Sequence, residues 1–292
     1  MAEGPSKPAP GRRKKAANAP DVVPPPALPD DPKHRELLAA LWANPDSDEA
    51  RLVYADFLLE RGDPRGEYIQ AVLKSWSTAT TLFRKHEKEW IAPIRPYIRS
   101  WSWSRGFVSR VTCGAGLFVE GAAGICAVSP DLWVEITGLR PQHIPGLAAA
   151  PLGKLRSLSL TSQRIDDAQA QLLFPSPTLA GLREIYLGLN QFGPPGMLAL
   201  ATSPMRTSLR SLALDDIPFG DDGAAALAGS PGFPELRDLR LERCDLTEKG
   251  ALALARSKTL PKSLRVHFGR QSFPLAEAAK REILARFPNS LD

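Results

Sequence analysis

The sequence predicts an α/β fold: a solenoid with a parallel sheet on its concave face and helices on its convex face, preceded by a small all-α module. The main observation is the pattern Leu-x-x-(Leu/Ile)-x-Leu, which starts at Leu155, Leu182, Leu209 and Leu236, 27 residues apart each time. A fixed period of about 20–50 residues is typical of solenoids, because one unit buries its apolar side only against its neighbours. Apolar residues at helical spacing over residues 32–75 predict the all-α module.

Residues 1–31 form a tail rich in Pro and Ala. Such a composition buries too little apolar surface to offset chain entropy, so we expect disorder. Residues 1–29 have five basic residues against Glu3 and Asp21, and they therefore supply +3 of the net charge of +5. The remainder is close to neutral, which gives little support for a nucleic-acid partner.

The cysteines and the lack of long apolar runs predict a cytoplasmic protein without a membrane span. Cys113, Cys126 and Cys244 are far apart, as in proteins with reduced thiols. No run of about 18 apolar residues occurs. The basic N-terminus leads into prolines rather than into the apolar core of a secretory signal.

Residues 32–75 predict a compact group of helices. Either Asp46 or Ser47 suits the N-cap of the second helix. Gly62 suits the position after that helix, where a positive φ is common, and Asp63 suits the N-cap of the third.

The segments 37–46 (LLAALWANPD) and 50–70 (ARLVYADFLLERGDPRGEYIQ) resemble the repeat-companion domain, a small bacterial domain that precedes leucine-rich or other repeats. The sequence departs from that pattern at Phe57, where Trp is expected, but the aromatic character is kept. The resemblance implies a bacterial repeat protein, and it implies no activity.

Residues 76–104 predict a Trp-rich linker with an N-capping helix over residues 80–89. Two interpretations stay open for its aromatic residues: they seal the join between the helices and the repeats, or they bind bases or a membrane. An exposed patch of several tryptophans would promote aggregation, which favours the seal. The residues concerned are Trp76, Phe83, Trp90, Trp101 and Trp103.

The repeat domain is predicted over residues 105–292. Terminal repeats are expected to be irregular because they cap the core, and a helix over residues 275–287 closes the array. Degenerate strands are predicted at residues 106–113, 132–137 and 264–268. On the convex side, Asp166, either Asp221 or Asp222, and Thr247 suit helix N-caps.

The period and the convex helices resemble the ribonuclease-inhibitor-like class of leucine-rich repeats. In that fold, the side chain at the last position of Leu-x-x-Leu-x-Leu-x-x-Asn bonds the backbone of neighbouring turns. Asn190 and Cys244 occupy this position, whereas Gln163 and Ile217 stand there in the other two units. The resemblance therefore implies an incomplete ladder.

Function is expected on the concave face, whose outward positions are free to vary. Aromatic residues and arginine dominate binding hot spots. The candidate contacts in the strands are Glu184, Tyr186, Asp215, Asp238, Arg240 and Glu242.

A column of arginines follows the first leucine of each unit. Its predicted members are Arg156, Arg183, Arg210, Arg237 and Arg265. Neighbouring strands lie about 4.8 Å apart, so the column forms a stripe along one edge of the concave face. It is either an acceptor for an acidic protein or phosphates, or a solvated ladder that Glu184 and Asp238 partly neutralise.

No catalytic motif is present. The sequence lacks a GxSxG motif, a P-loop, an HExxH motif, paired catalytic carboxylates and a Cys/His set. The four histidines have no metal-ligand spacing, and no cofactor is expected. We therefore predict a non-catalytic scaffold that binds a protein partner, one with acidic groups, on the concave face. The alternative, a regulator or inhibitor of an enzyme or small GTPase, rests on analogy of fold.

Overall fold

The structure, a computed structural model, describes residues 31–269, 275–288 and 290–291. The predicted tail, apart from Asp31, lies outside the described residues, as does the side chain of Trp76. The α helices are α1 (Pro32–Ala43), α2 (Asp48–Leu59), α3 (Pro64–Lys74), α4 (Trp76–Ile91), α5 (Ala115–Ala127), α6 (Ile144–Ala149), α7 (Asp167–Leu173), α8 (Pro194–Ala201), α9 (Gly220–Ala228), α10 (Glu248–Ala255) and α11 (Glu277–Arg286). The strands are β1 (Ser100–Ser104), β2 (Phe107–Gly114), β3 (Trp133–Thr137), β4 (Ser157–Ser159), β5 (Glu184–Tyr186), β6 (Ser211–Ala213), β7 (Asp238–Arg240) and β8 (Arg265–His267).

The N-terminal helices begin and end at residues with capping chemistry. Ser47, rather than Asp46, caps α2, because its side chain accepts a hydrogen bond from the Ala50 N–H at 3.1 Å. Gly62 has a φ of +69° after α2, and Asp63 caps α3 with a proline directly behind it, as predicted. Helix α4 begins at Trp76 rather than near residue 80.

All eight described strands form one sheet in the order β1 to β8. Strands β1 and β2 form an antiparallel hairpin, and every later pair is parallel. The alternating Ser and Trp residues of β1 lie inside the segment predicted as a linker. The sheet therefore begins at Ser100 rather than near residue 105.

The clear repeats stack with a register of 27 residues. Ser157 pairs with Glu184, Glu184 with Ser211, and Ser211 with Asp238. Each of these strands is only three residues long, and its central residue points into a continuous apolar core. The central residues are Leu158, Ile185, Leu212, Leu239 and Val266, which are 2% exposed or less.

The polar ladder behind the strands is more complete than predicted. Asn190 is buried, and its Oδ1 accepts a hydrogen bond from the Ile165 N–H at 2.9 Å. Gln163, one repeat earlier, accepts from the Leu139 N–H at 3.0 Å in the same way. Its longer side chain therefore replaces asparagine rather than interrupting the ladder.

The N-cap residues of the convex helices agree with the prediction in α7 and α10 and differ from it in α9. Asp166 and Thr247 cap α7 and α10, as predicted. Neither Asp221 nor Asp222 caps α9, because Phe219 is the N-cap and the helix begins one residue before Asp221.

Asp221 instead joins two repeats. Its Oδ1 accepts hydrogen bonds from the backbone N–H groups of Thr247 at 2.8 Å and Gly250 at 2.9 Å, both in the next unit. Asp167 makes the equivalent contact with Gly196 at 2.8 Å. An acidic side chain in the first turn of one helix thus stabilises the start of the next helix.

The N-terminal helices contact the turn of the β1–β2 hairpin. Arg105 and Gly106 form its two-residue turn with φ values of +50° and +91°, the conformation that suits a tight hairpin. The buried Arg51 donates to the Arg105 carbonyl at 3.2 Å and to the Pro45 carbonyl. A Cβ atom on Gly106 would collide with Ile69 of α3, so the turn fits closely against the helices.

Aromatic side chains fill the space between α3, α4 and β1. Trp90 lies 5.1 Å from Tyr68 and 5.7 Å from Trp103 between ring centroids. Phe83 contacts Trp103 edge-on at 5.5 Å. These contacts join Phe83, Trp90 and Trp103 in one cluster, and the seal between the helices and the repeats stays a prediction.

Candidate functional site: the concave face of the repeats

The sheet face that the sequence predicts to be concave, here called the concave face, is built from the two residues that flank the buried centre of each short strand. One column runs along the first residues of the strands: Ser157, Glu184, Ser211, Asp238 and Arg265. A second column runs along their last residues: Ser159, Tyr186, Ala213, Arg240 and His267. Small side chains in the early strands and charged ones in the later strands give the face two different halves.

An aromatic bridge covers the early half. Trp133 and Tyr186 lie two strands apart, yet their ring centroids are 5.9 Å apart in an edge-to-face contact. The bridge passes over Ser157 and Ser159, which are only 7% and 4% exposed as a result. Arg110 completes the stack, with its guanidinium 3.1 Å from the centroid of the Trp133 ring.

Glu184 holds the bridge in place. Its Oε2 accepts hydrogen bonds from the Ser157 hydroxyl and from the Tyr186 hydroxyl, both at 3.1 Å. Burial, together with the Glu184 charge, raises the pKa of Tyr186 to about 12. The tyrosine therefore stays a neutral donor over the physiological range.

Ion pairs organise the later half. Arg240 pairs with Asp215 at 3.1 Å, and the Asp238 carboxylate lies 3.3 Å from the Arg265 guanidinium and 3.2 Å from the His267 ring nitrogen. Burial raises the pKa of Asp215, although Arg240 and the backbone N–H of Glu242 oppose the shift. Arg240 keeps about half of its side chain exposed, at 48%.

A recess of about 270 Å³ opens at the end of these strands. Its rim includes residues with left-handed backbone, among them Leu189 with a φ of +59° and 53% exposure, and Arg243 with a φ of +53°. Arg243 forms a two-pronged ion pair with Asp216, which also has a φ of +59°. The N–H groups of Leu189 and Asp216 bond to the carbonyls of the next repeat, which holds this unusual backbone in place.

Backbone hydrogen bonds place four of the five predicted members of the arginine column in register. The Arg156 carbonyl accepts from the Arg183 N–H at 2.8 Å, and the same contact links Arg183 to Arg210 and Arg210 to Arg237. Arg265 lies outside this column. It pairs with Asp238, because an extra residue in the last unit shifts the chain by one position.

The members of the column have different surroundings. Arg156 turns toward the N-terminal helices and donates to the Trp42 carbonyl at 3.2 Å. Burial, followed by the charges of Arg183 and Arg210, lowers the pKa of Arg156. The side chains of Arg183, Arg210 and Arg237 make no hydrogen bond or ion pair with any described residue.

The acids expected to neutralise the column are engaged elsewhere. Glu184 accepts from two hydroxyl groups, and Asp238 pairs with Arg265 and His267. The stripe therefore keeps its positive charge along the edge where the strands begin.

Trp133 and Arg110 are part of the face, although the predicted contacts do not include them. The alternation of buried Val134 and Ile136 already implies that Trp133 and Glu135 point outward. The stack with Arg110 depends on the parallel pairing of β2 and β3, which local sequence does not reveal.

Neither a metal-binding cluster nor a thiol with a lowered pKa occurs among the described residues. No group of three or more His, Cys, Asp or Glu residues within the described ranges is placed to hold a metal ion. Cys113, Cys126 and Cys244 are buried, and burial raises the pKa of each thiol to about 12. Among the described helices, none has the length and apolarity needed to cross a membrane.

Comparison with known proteins agrees with the geometry. The family model described as Leucine Rich repeat matches residues 182–201, the unit that runs from the entry of β5 to the end of α8. No curated protein matches the chain. The match supports a leucine-rich repeat protein, and this repeat in general suggests a protein-interaction module whose fold is non-catalytic.

Proposed function

We propose that this protein is a scaffold that binds an acidic segment of a protein partner along Arg183, Arg210 and Arg237. The observation that carries the proposal is that the backbones of these three arginines lie in register, while their side chains make no hydrogen bond or ion pair with a described residue. Carboxylates and phosphates are their natural partners, because the planar guanidinium donates two parallel hydrogen bonds to such groups.

The rest of the face supplies anchors beside the stripe. The bridge of Trp133 and Tyr186 offers a rigid aromatic surface, and Arg240 with Leu189 lines the recess at the other edge. Aromatic residues and arginine are enriched at hot spots, which need such buried or rigid contacts. A partner that crosses from the stripe to the recess would therefore combine charge with apolar contact.

Charge reversal tests the proposal directly. The triple variant Arg183→Glu, Arg210→Glu and Arg237→Glu replaces three attractions with three repulsions. At about 0.5–1 kcal/mol for each of the three interactions, the binding free energy weakens by about 1.5–3 kcal/mol, so affinity for the partner falls roughly 10- to 150-fold. Wild-type binding should also weaken as salt rises, since exposed charges are screened.

The experiment is a capture from native lysate at rising salt, with the captured protein then purified and its Kd measured. The matched control is Lys258→Glu, Lys280→Glu and Arg281→Glu, which changes the net charge equally outside the concave face. Equal affinity of the two triple variants for the captured partner would overturn the proposal. An enzyme or small GTPase whose rate changes on binding would identify the protein as a regulator.

We further propose that the N-terminal helices are a repeat-companion domain of a bacterial protein and that they close one end of the array. Two hydrogen bonds support the closure of the array: Arg51 donates to the hairpin turn, and Arg156 donates to the Trp42 carbonyl of α1. A cytoplasmic location suits the three unpaired thiols.

A further inference from the structure

The three arginines of the stripe, Arg183, Arg210 and Arg237, are spaced by the sheet itself. The Arg210 N–H donates to the Arg183 carbonyl at 2.7 Å, and the Arg237 N–H donates to the Arg210 carbonyl at 2.9 Å. Hydrogen-bonded strands lie about 4.8 Å apart, so the first and last of these residues are about 10 Å apart along a line that crosses the strands. A partner segment that contacts all three arginines must present its acidic groups at a similar spacing.

The regular chain conformations differ in the spacing that they provide. On an α helix, residues i, i+4 and i+7 lie on one face and span about 10.5 Å, because each residue advances the helix by about 1.5 Å. Three side chains on one face of an extended strand span about 13 Å, and three on one face of a polyproline II helix span about 19 Å. The α helix therefore matches the stripe with the least stretching of the arginine side chains.

The direction of the stripe also favours a helix. A segment that follows the stripe crosses the strands, so it cannot pair with them as an added strand does. The backbone of the sheet is engaged there, since the Arg183 carbonyl accepts from the Arg210 N–H and also from the Ser211 N–H at 3.0 Å. An extended segment would cover its own N–H and C=O groups without partners, which is costly. A helix pairs these groups internally and needs only side-chain contacts.

A helix of this chain already meets the first arginine of the column. Arg156 donates to the Trp42 carbonyl at 3.2 Å, and Trp42 lies in the last turn of α1. The last carbonyls of a helix lack partners within the helix, so Arg156 satisfies one of them. The positions from Arg183 onward are those that remain for a partner.

We propose that the acidic segment of the partner is an α helix that lies along the stripe, with carboxylates at i, i+4 and i+7 facing Arg183, Arg210 and Arg237. The inference rests on the proposed function and names the conformation and charge pattern of what the stripe binds. Helices commonly dock on protein surfaces through side chains at this spacing.

Peptides that differ only in the placement of their acids test the proposal. A one-faced peptide of Ala and Gln carries Glu at i, i+4 and i+7, and a spread peptide of the same composition distributes the three Glu residues round the helix. A third peptide, rich in Thr, carries Glu at alternate positions to suit a strand. Binding to the full chain is followed by NMR of the arginine side-chain N–H groups at about 0.01 M salt, where charges act over about 30 Å.

The one-faced peptide should bind with a Kd of about 1 mM or tighter. The other two should bind at least about fivefold more weakly, because each aligns fewer carboxylates with the stripe. Arg210→Gln removes the central guanidinium and should weaken the one-faced peptide about threefold. Lys258→Gln, at an exposed position after α10, should leave its binding unchanged.

The outcomes separate the helix from the stripe. Equal affinity of the three peptides, or tightest binding of the strand peptide, would overturn the helix while the proposed function stands, provided that the triple charge reversal of the stripe abolishes binding. The same applies if only the one-faced peptide fails to give saturable shifts. If the triple reversal leaves the binding of every peptide unchanged, the proposed function itself fails.

Discussion

Replacement of Asn190 by alanine tests whether the buried ladder holds neighbouring repeats together. The Asn190 side chain accepts from the Ile165 N–H at 2.9 Å and donates to the Leu160 carbonyl at 3.0 Å and to the Leu187 carbonyl. Asn190→Ala removes all three bonds in a place that solvent does not reach. Ile165 and Leu160 belong to the preceding unit, so the contact between two repeats is what the variant weakens.

The expected cost follows from the groups left unpaired. One buried donor or acceptor without a partner costs about 1–3 kcal/mol, and the Ile165 N–H and the Leu160 carbonyl both lose theirs. We therefore expect the free energy of unfolding to fall by about 3 kcal/mol. For a chain of this size, that corresponds to a decrease in Tm of roughly 6–12 °C.

The assay is urea unfolding followed by far-ultraviolet circular dichroism, with the slope of the transition compared as well as its midpoint. A lower slope would show that the array unfolds in parts, as repeat proteins can. Asn190→Cys is the matched control, because Cys244 at the equivalent position donates to the Leu214 carbonyl at 3.2 Å. The cysteine variant should lose about half as much stability. A change below about 0.5 kcal/mol for Asn190→Ala, or equal losses in the two variants, would refute the reasoning.

Two further predictions concern other contacts of the fold. Asp221→Ala should cost about 1 kcal/mol near pH 7, because the bonds to Thr247 in the next repeat are lost. Desolvation raises the pKa of Asp221, but the bonds from Thr247 and its neighbours lower it overall from 3.8. This stability is therefore present above the unfolded pKa and lost as pH falls through the lower folded value. Between about pH 5 and pH 2, the free energy of unfolding should decline less steeply for the variant than for the wild type. Parallel declines in the two proteins would contradict the assignment. Gly106→Ala should cost more than about 2 kcal/mol in urea unfolding, because positive φ and a collision with Ile69 act together. Gly138→Ala, which has a positive φ but open space, should cost only about 1 kcal/mol, and equal losses would show that the collision is relieved.

The leucine period alone was enough to predict the parallel part of the sheet from β4 to β7, because register in a solenoid follows from which side chains must be buried. Leu158, Ile185, Leu212 and Leu239 stack at the predicted spacing. The last unit shows the limit of that rule. Leu264-Arg265 imitates the Leu-Arg pairs of earlier repeats, but burial of Val266 opposite Leu239 sets the true register. A shift of one residue then moves Arg265 from the arginine column into the neighbouring one.

Other features depended on contacts that local sequence does not contain. Strand β1 is a strand because it pairs with β2 while the N-terminal helices hold the turn between them. The lack of an ion-pair partner for Arg183 among the described residues could not be predicted either. Glu184 follows it directly in the chain, yet the carboxylate turns to Ser157 and Tyr186. Strand pairing therefore decides which charges meet: the sequence predicts the stripe itself, but the structure is needed to show that its expected counter-charges contact other residues.

The left-handed residues at the ends of the strands leave this edge free to evolve. Glycine is the usual residue in this backbone conformation, because the left-handed region costs other residues about 1–2 kcal/mol. In this protein, Ser162, Leu189, Asp216 and Arg243 all adopt it, and a hydrogen bond to the following unit fixes the turn at the first three of them. Because the neighbouring repeat shapes the turn, the same backbone accommodates four different types of side chain at this position. A lineage can therefore exchange a hydroxyl, an apolar group, an acid or a base along this rim by single mutations, and alter recognition without rebuilding the array.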